Sequence, residues 1–400
     1  MSDGASGPLA GVRILDLTSV LMGPYATQIF ADLGADVIKI EGPQGDTTRH
    51  IPPGPVTGCG AMYMNLNRGK RSLVLDLKQD SAREALLKLA ETSDVFIHSM
   101  RSEAIGRLGL PYSVLQAANS RIIYASLCGF GRNGSYRNYP AYDDIVQAAS
   151  GVVDLQARLS EGRPTYVANV VADKVTGLTG AYAVIAALFA REKSGIGQEI
   201  EIPMFETMVS FNCVEHLCGS LFDPPIGKPE YGRATSEHRR PYETADGFIA
   251  VLIYNDKQWQ ALFREIGDPE WSKDPMFRNL ESRTRNIGSV LARVADLMLT
   301  RPTAAWLEAL RKAEIPAAEI ASLSQLLHDG HLEESGFWQE RSSEWGDVRF
   351  PGIPTYFSET PGEIRSAGPV LGADSGQILE EAGLSTSEIG KMASSGATRL

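Results

Sequence analysis

Three short stretches of this 400-residue chain carry side chains that could do chemistry. The first is Asp173, near the start of the apolar small-residue run VVADKVTGLTGAYAVIAALFARE, with Gly177 and Gly180 at helical spacing on its face. Glycines there let a ligand, or another backbone, come close. A carboxylate in a first helical turn is also what the helix dipole and its orphan amides favour, so the residues alone leave both readings open. The second stretch, Asn65 to Arg71 (NLNRGKR), sets three cations before a strand. It reads either as a solvated charged turn or as a cradle for the phosphates of a cofactor. The third, Gly129-Phe130-Gly131-Arg132-Asn133-Gly134, has dinucleotide-fingerprint spacing, but that site needs a helix to open at once. The next residues, SYRNYPAYDD, are turn-like, so the motif reads as a turn.

Positioning such groups takes a scaffold, and its elements are visible. VRILDL, a helix through GPYATQIFADLGA, and DVIKIE form a strand-helix-strand unit. The pattern repeats with SLVLDL, the helix SAREALLKLAETSD, VFIHSM and RIIYASLCGF. Alternation of this kind predicts an α/β fold with a parallel, doubly wound sheet. The long helix from about 170 to 193 leads into the strand QEIEIP. The Pro-, Gly- and charge-rich segment Ser220 to Pro241 then reads as a linker. A strand pair about Asp246-Gly247 and three amphipathic helices, one with Trp306, Leu307 and Leu310, suggest a smaller α+β domain. The expected partition is a large domain over 1–205, a linker over 206–232, a small domain over 233–325, and a segment 326–400 that returns to the large domain.

Composition excludes several classes. Apolar residues make up 43% and charged residues 22%, a packed globular balance. The 38 Lys+Arg against 49 Asp+Glu, a net charge of −11, supplies no global field toward nucleic acid or anionic membranes. Cys59, Cys128, Cys213 and Cys218 form no CxxC, and the six histidines form no HxxxH or HExxH, so neither a zinc site nor a disulfide framework is expected. With no signal-like N-terminus and no long uninterrupted apolar run, the expectation is a cytoplasmic, reduced protein with no membrane or nucleic-acid partner.

Several blocks together resemble the family III CoA-transferases (CaiB/BaiF family). They are LDLTSVLMGPYATQIFADLGADVIKIEGPQGDTTR, NLNRGKRSLVLDL, RLGLPYSVL, GFGRNGSYRNYPAYDD, ADKVTGLTGAYAVIAALFAREKSGIGQEIEIPMFE and RRPYETADGFIAV. They run in order from about residue 9 to 390. The resemblance implies a Rossmann-like large domain with a smaller α+β domain, an interlocked homodimer, CoA as the carried cofactor, and no metal. It also implies that Asp173 is the catalytic nucleophile, in a block D-x-x-x-G-x-x-x-A represented by Asp173, Gly177 and Ala181. A carboxylate there attacks a thioester to give an anhydride, which CoA opens to an aspartyl thioester; the oxyanions need amide donors, which the first helical turn after Val171 or a neighbouring loop could supply.

CoA-contacting positions carried over from the family are Leu21, Met22, Leu75, Lys78, Ser99, Met100, Arg101, Arg107, Tyr142 and Asp143. Leu75 to Lys78 match the family's LDxK segment and Arg107 its RLGL arginine, whereas Ser99 to Ser102 replace the usual N-F-x-P. Gly42 stands where formyl-CoA transferase has an arginine after the KIE strand, and Leu21 where it has a glutamine. The racemases of the family place a catalytic histidine where this chain has Tyr142, followed by Asp143 and Asp144. A phenol, with an ordinary pKa of about 10, is a poor proton acceptor at neutrality, so a transferase is expected and a 2-methylacyl-CoA racemase is the alternative. YGRATSEHRRPY replaces the mobile glycine loop of formyl-CoA transferase, which argues against formate or oxalate. Arg233, His238 and Arg240 are candidate cations for a dicarboxylate such as succinate, itaconate or mesaconate.

Overall fold

The computed structural model describes residues 6–400. Contacts divide the chain into a first unit of residues 6–150, 168–210 and 331–400 and a second of 151–167 and 211–330. These bounds differ from those expected: the helix Val152–Leu159 groups with the second unit, and the helix Met204–His216 runs across the boundary at residue 210.

The first unit is built on six strands: β1 (Arg13–Leu17), β2 (Asp36–Glu41), β3 (Arg71–Val74), β4 (Val95–His98), β5 (Ile123–Cys128) and β6 (Glu199–Pro203). All pair in parallel in the order β3-β2-β1-β4-β5-β6. A parallel sheet covered on both faces needs near-continuous apolar strands, and β4 is buried at every position. The order reverses between β1 and β4, and such a switch point opens a crevice beyond the carboxyl ends of the strands. The helix Met22–Asp32 leaves β1 and ends at Gly34, whose φ of +99° suits glycine. The 24-residue helix Val171–Ser194 feeds β6 and therefore runs antiparallel to the strands. Its N-terminus stands at the carboxyl edge of the sheet. By length and composition it could cross a membrane, and 44% of its most apolar window is buried inside the protein.

The cations of NLNRGKR follow neither expected course. Arg68 makes a two-pronged pair with Asp32 at 3.1 and 2.7 Å, Lys70 reaches Asp16 at 3.1 Å, and Arg71 pairs with Asp36 at 2.7 Å and Glu381 at 2.9 Å. All three are spent on the interior and on the chain's tail, and none is free for a phosphate. The Gly129–Gly134 motif is a turn: the Gly131 amide donates to Glu206 at 3.0 Å, and Arg132 pairs with Glu201 at 2.7 Å. A Cβ at Gly129 would meet Ala141 at 2.4 Å, so that glycine serves close packing.

The second unit has a three-stranded antiparallel sheet of β7 (Tyr242–Glu243), β8 (Phe248–Val251) and β9 (Ala317–Glu319). Its core gathers Trp259, Phe277, Val294 and Trp306, whose indole donates to the Met298 carbonyl at 2.8 Å.

Candidate active site

The loop from β1 into the helix Met22–Asp32 is held in a costly conformation. Val20 has φ +69°, a left-handed backbone that β-branched residues avoid at about 1–3 kcal/mol. Its amide donates to the Asp46 carboxylate at 3.1 Å. Asp46 is fixed in turn by the buried Lys39 ammonium at 2.9 Å, and that ammonium also reaches the Thr18 carbonyl at 2.8 Å. Beneath the loop, Asp16 is fully buried and accepts from the Thr18 amide at 2.9 Å, Thr27 Oγ1 at 2.6 Å and Lys70. Burial pushes Asp16 up, but Lys70, Lys39 and the two threonine hydroxyls outweigh it and leave its pKa at about 2. Asp16 inside the strand RILDL and Lys39 between the isoleucines of DVIKIE are the sequence traces of this network.

Over this floor lies a crevice of about 450 Å³, walled by Thr18, Ser19, Gly42 to Asp46, Leu75 to Lys78, Met100 and Leu108. It occupies the carboxyl edge of β1, β2 and β3. His98 stiffens one wall: Nδ1 accepts the Met100 amide at 3.2 Å, and burial lowers the ring's pKa to about 4, so the imidazole is neutral. Ser99 Oγ accepts the Ser19 amide at 3.1 Å.

Asp173 stands at the same edge. A Cβ on Gly177 would meet the Met22 carbonyl at 2.7 Å, and one on Gly180 would meet Leu127 at 3.3 Å. The close approach that those glycines allow is thus by protein, and it presses the helix against the start of Met22–Asp32. The Asp173 amide donates to Asp143 Oδ1 at 3.0 Å, and the Gln147 amide clamps Asp143 Oδ2 while also reaching the Asn169 carbonyl at 3.2 Å. Burial, then the charge of Asp143, raises the Asp173 pKa to about 7. An Asp tuned to neutrality by burial and a like charge is a mark of functional carboxylates. Of the two sources of oxyanion donors, the first turn is the poorer, because the Val171, Asp173 and Lys174 amides are engaged by Asn169, Asp143 and Val170.

Of the other expected CoA positions, Leu75, Lys78 and Met100 line the crevice. Lys78 is exposed, whereas Leu75, Leu21 and Met22 are at most 8% exposed and can offer only backbone to a ligand. Arg101 and Arg107 are exposed and outside its lining; Tyr142 is 70% exposed beside the buried Asp143. Arg233, His238 and Arg240 do not converge. Arg233 lines one cavity of the second unit, His238 lines another and pairs with Glu237 at 3.3 Å, and Arg240 is exposed. The sequence reading missed Ser19 and the loop Pro43 to Asp46, which have no chemical signature in sequence. If Lys78 holds a phosphate, Lys78→Ala is expected to raise KM about tenfold or more for every acyl-CoA donor alike, with kcat little changed; steady-state kinetics with acetyl-CoA and succinyl-CoA checks this.

Residues 9–375 match the sequence model of CoA-transferase family III. The chain belongs to that family. This family III CoA-transferase is 32% identical to a succinyl-CoA:mesaconate CoA-transferase of Haloarcula hispanica, over 95% of this chain and 98% of the relative. It is 35% identical to an acetyl-CoA:oxalate CoA-transferase of Acetobacter aceti, over 88% and 90%. The crystal structure of Rv3272 from Mycobacterium tuberculosis superposes with a TM-score of 0.82 at 27% identity, over 94% of this chain and 100% of that one. A CoA thioester is therefore a substrate of this enzyme. Among the described residues no cluster of His, Cys, Asp and Glu is arranged to hold a metal.

Proposed function

We propose that this CoA-transferase moves CoA from an acyl-CoA thioester to a small dicarboxylic acid through a covalent intermediate on Asp173. The observation that carries the reading is the carboxyl of Asp173 at the sheet's carboxyl edge, with a pKa of about 7 and its amide tied to Asp143. At neutral pH about half of such a group is ionised and able to attack. A carboxylate oxygen adds to the thioester carbonyl and the C–S bond breaks, giving an anhydride and CoA thiolate. The thiolate attacks the aspartyl carbonyl, releasing the donor acid and leaving an aspartyl-CoA thioester. The acceptor carboxylate then displaces the thiolate, which attacks the acceptor's carbonyl and frees Asp173. Each step conserves charge and needs no oxidant.

Mesaconate, itaconate and succinate are the acceptors we favour, supported by the Haloarcula relative's name. The replaced glycine loop disfavours oxalate, while the Acetobacter relative is named for oxalate, so oxalate belongs in the test. We further propose an interlocked homodimer, on the family resemblance, and a reducing, cytoplasmic setting in which the four cysteines stay free thiols.

The test offers acetyl-CoA and succinyl-CoA with mesaconate, itaconate, succinate, glutarate or oxalate, and reads new thioesters by mass spectrometry. A dicarboxyl-CoA product is expected in preference to oxalyl-CoA. In parallel, (2R)-2-methylacyl-CoA in D₂O is expected to keep its α-proton, because exposed Tyr142 takes the place of a base. Deuterium entry as fast as CoA transfer would make racemisation the activity.

A further inference from the structure

The second unit contains a cavity of about 160 Å³ whose lining includes neither Asp173 nor Asp143. Its walls are apolar: Val251, Ile253, Trp259, Val290 and Val294 come from β8 and the loop after it, and from the helices Asp256–Glu265 and Ile287–Met298. Tyr254 and Leu280, about half exposed at 53% and 49%, form its mouth. Two arginines reach the lining. Arg283 is spent, paired with Asp256 and donating to the Phe277 carbonyl at 3.0 Å. Arg233 has no carboxylate partner among the described residues, is half-buried, and lies near enough to the buried Tyr242 phenol for its charge to be felt there.

An unpaired guanidinium beside an apolar hollow defines its ligand. The planar fork matches a carboxylate, and a single free cation balances a monoanion, whereas a phosphate dianion calls for more positive charge than Arg233 supplies alone. The volume is close to the roughly 150 Å³ that admits a benzene-sized guest, which limits the tail to about four to seven carbons. We propose that this cavity binds a short apolar monocarboxylic acid, its tail against Trp259 and Val294 and its carboxylate on Arg233.

The probe is 3-methylbutanoate, with 3-methylbutanamide as its uncharged counterpart, titrated against the intact protein by ligand-observed NMR. The acid is expected to bind at least about tenfold more tightly than the amide, with methyl NOEs to the Trp259 indole, assigned by Trp259→Phe. Arg233→Met is expected to erase the preference for the acid while leaving amide binding and folding unchanged, because that side chain is part-exposed and pairs with no carboxylate. Asp173→Asn is expected to bind the acid as the parent does. Equal binding of acid and amide, an indifferent Arg233→Met, or NOEs absent from Trp259 would overturn the site. Loss of binding in Asp173→Asn would do so too, by placing the acid at the transfer centre, and it would leave the reading of Asp173 intact.

Discussion

Asp173→Asn is expected to lower CoA transfer by about 10³-fold or more while leaving acyl-CoA binding in place, since it removes a nucleophile and almost no volume. The parent enzyme, incubated with acyl-CoA alone, should gain a hydroxylamine-sensitive modification on the peptide that holds Asp173. The pH dependence comes from the raised pKa. The folded carboxyl titrates at about 7 against an ordinary 3.8, so attack by the carboxylate should strengthen as pH rises through 7. Folding stability has the opposite sign. Between roughly pH 4 and 7 the native state holds a proton that the unfolded chain has lost, so this group's contribution is full below 4 and is lost as pH rises through 7. Asparagine does not titrate, and the variant should therefore outlast the parent at pH 8. The part-exposed site screens that gain to about 1–2 kcal/mol, roughly 2–4 °C in Tm, and it should vanish below pH 4. Asp143→Asn keeps an oxygen for the Asp173 amide but removes the like charge, so the rate profile should shift to lower pH without returning to 3.8, because burial remains the first cause. Near-parental turnover by Asp173→Asn would end the covalent reading.

The parallel sheet was legible because β1, β2, β4 and β5 are buried on both faces and so read as largely apolar runs; the alternation with helices supplied its direction. Asp173 was legible as an acid out of place in an apolar helix. What that helix touches was not. Gly177 announces a close approach, and only the fold shows that the neighbour is the Met22 carbonyl. The loop Asn65 to Arg71 misled for a related reason. Its cations find acids 36, 54 and 35 residues away in Asp32, Asp16 and Asp36, and Glu381 lies 310 residues from Arg71. Local sequence holds no record of such partners, and an unpaired cluster of cations looks the same as a paired one. Arg233, His238 and Arg240 show the same limit: nearness in sequence put them together, and chain geometry sends the first two to different cavities.

Asp16 carries the second large expected effect, this time on the scaffold. Its carboxylate is fully buried, balances Lys70 at 3.1 Å, and ties the Thr18 amide and Thr27 hydroxyl to the end of β1. Asp16→Asn keeps the shape but leaves the Lys70 ammonium buried without a counter-charge, and it turns one acceptor into a donor facing other donors. Breaking one side of a buried ion pair costs about 3–5 kcal/mol, whereas replacing both sides together costs much less. Asp16→Asn with Lys70→Met should therefore recover a large share of the loss, and a double-mutant cycle by thermal unfolding measures that coupling. The acid limb has a definite sign: with its folded pKa held at about 2, Asp16 stabilises fully above about pH 4 and the contribution fades as pH falls toward 2. Parent and variant should converge there. The same substitution reaches function, because Thr18 and Ser19 wall the crevice and Val20 beside them is held against its backbone preference. Once the floor loosens, the loop can relax, so KM for acyl-CoA should rise more than kcat falls. Unchanged stability in Asp16→Asn would mean that Asp46 and Lys39 hold the loop without help from below, and the rise in KM should then be absent as well.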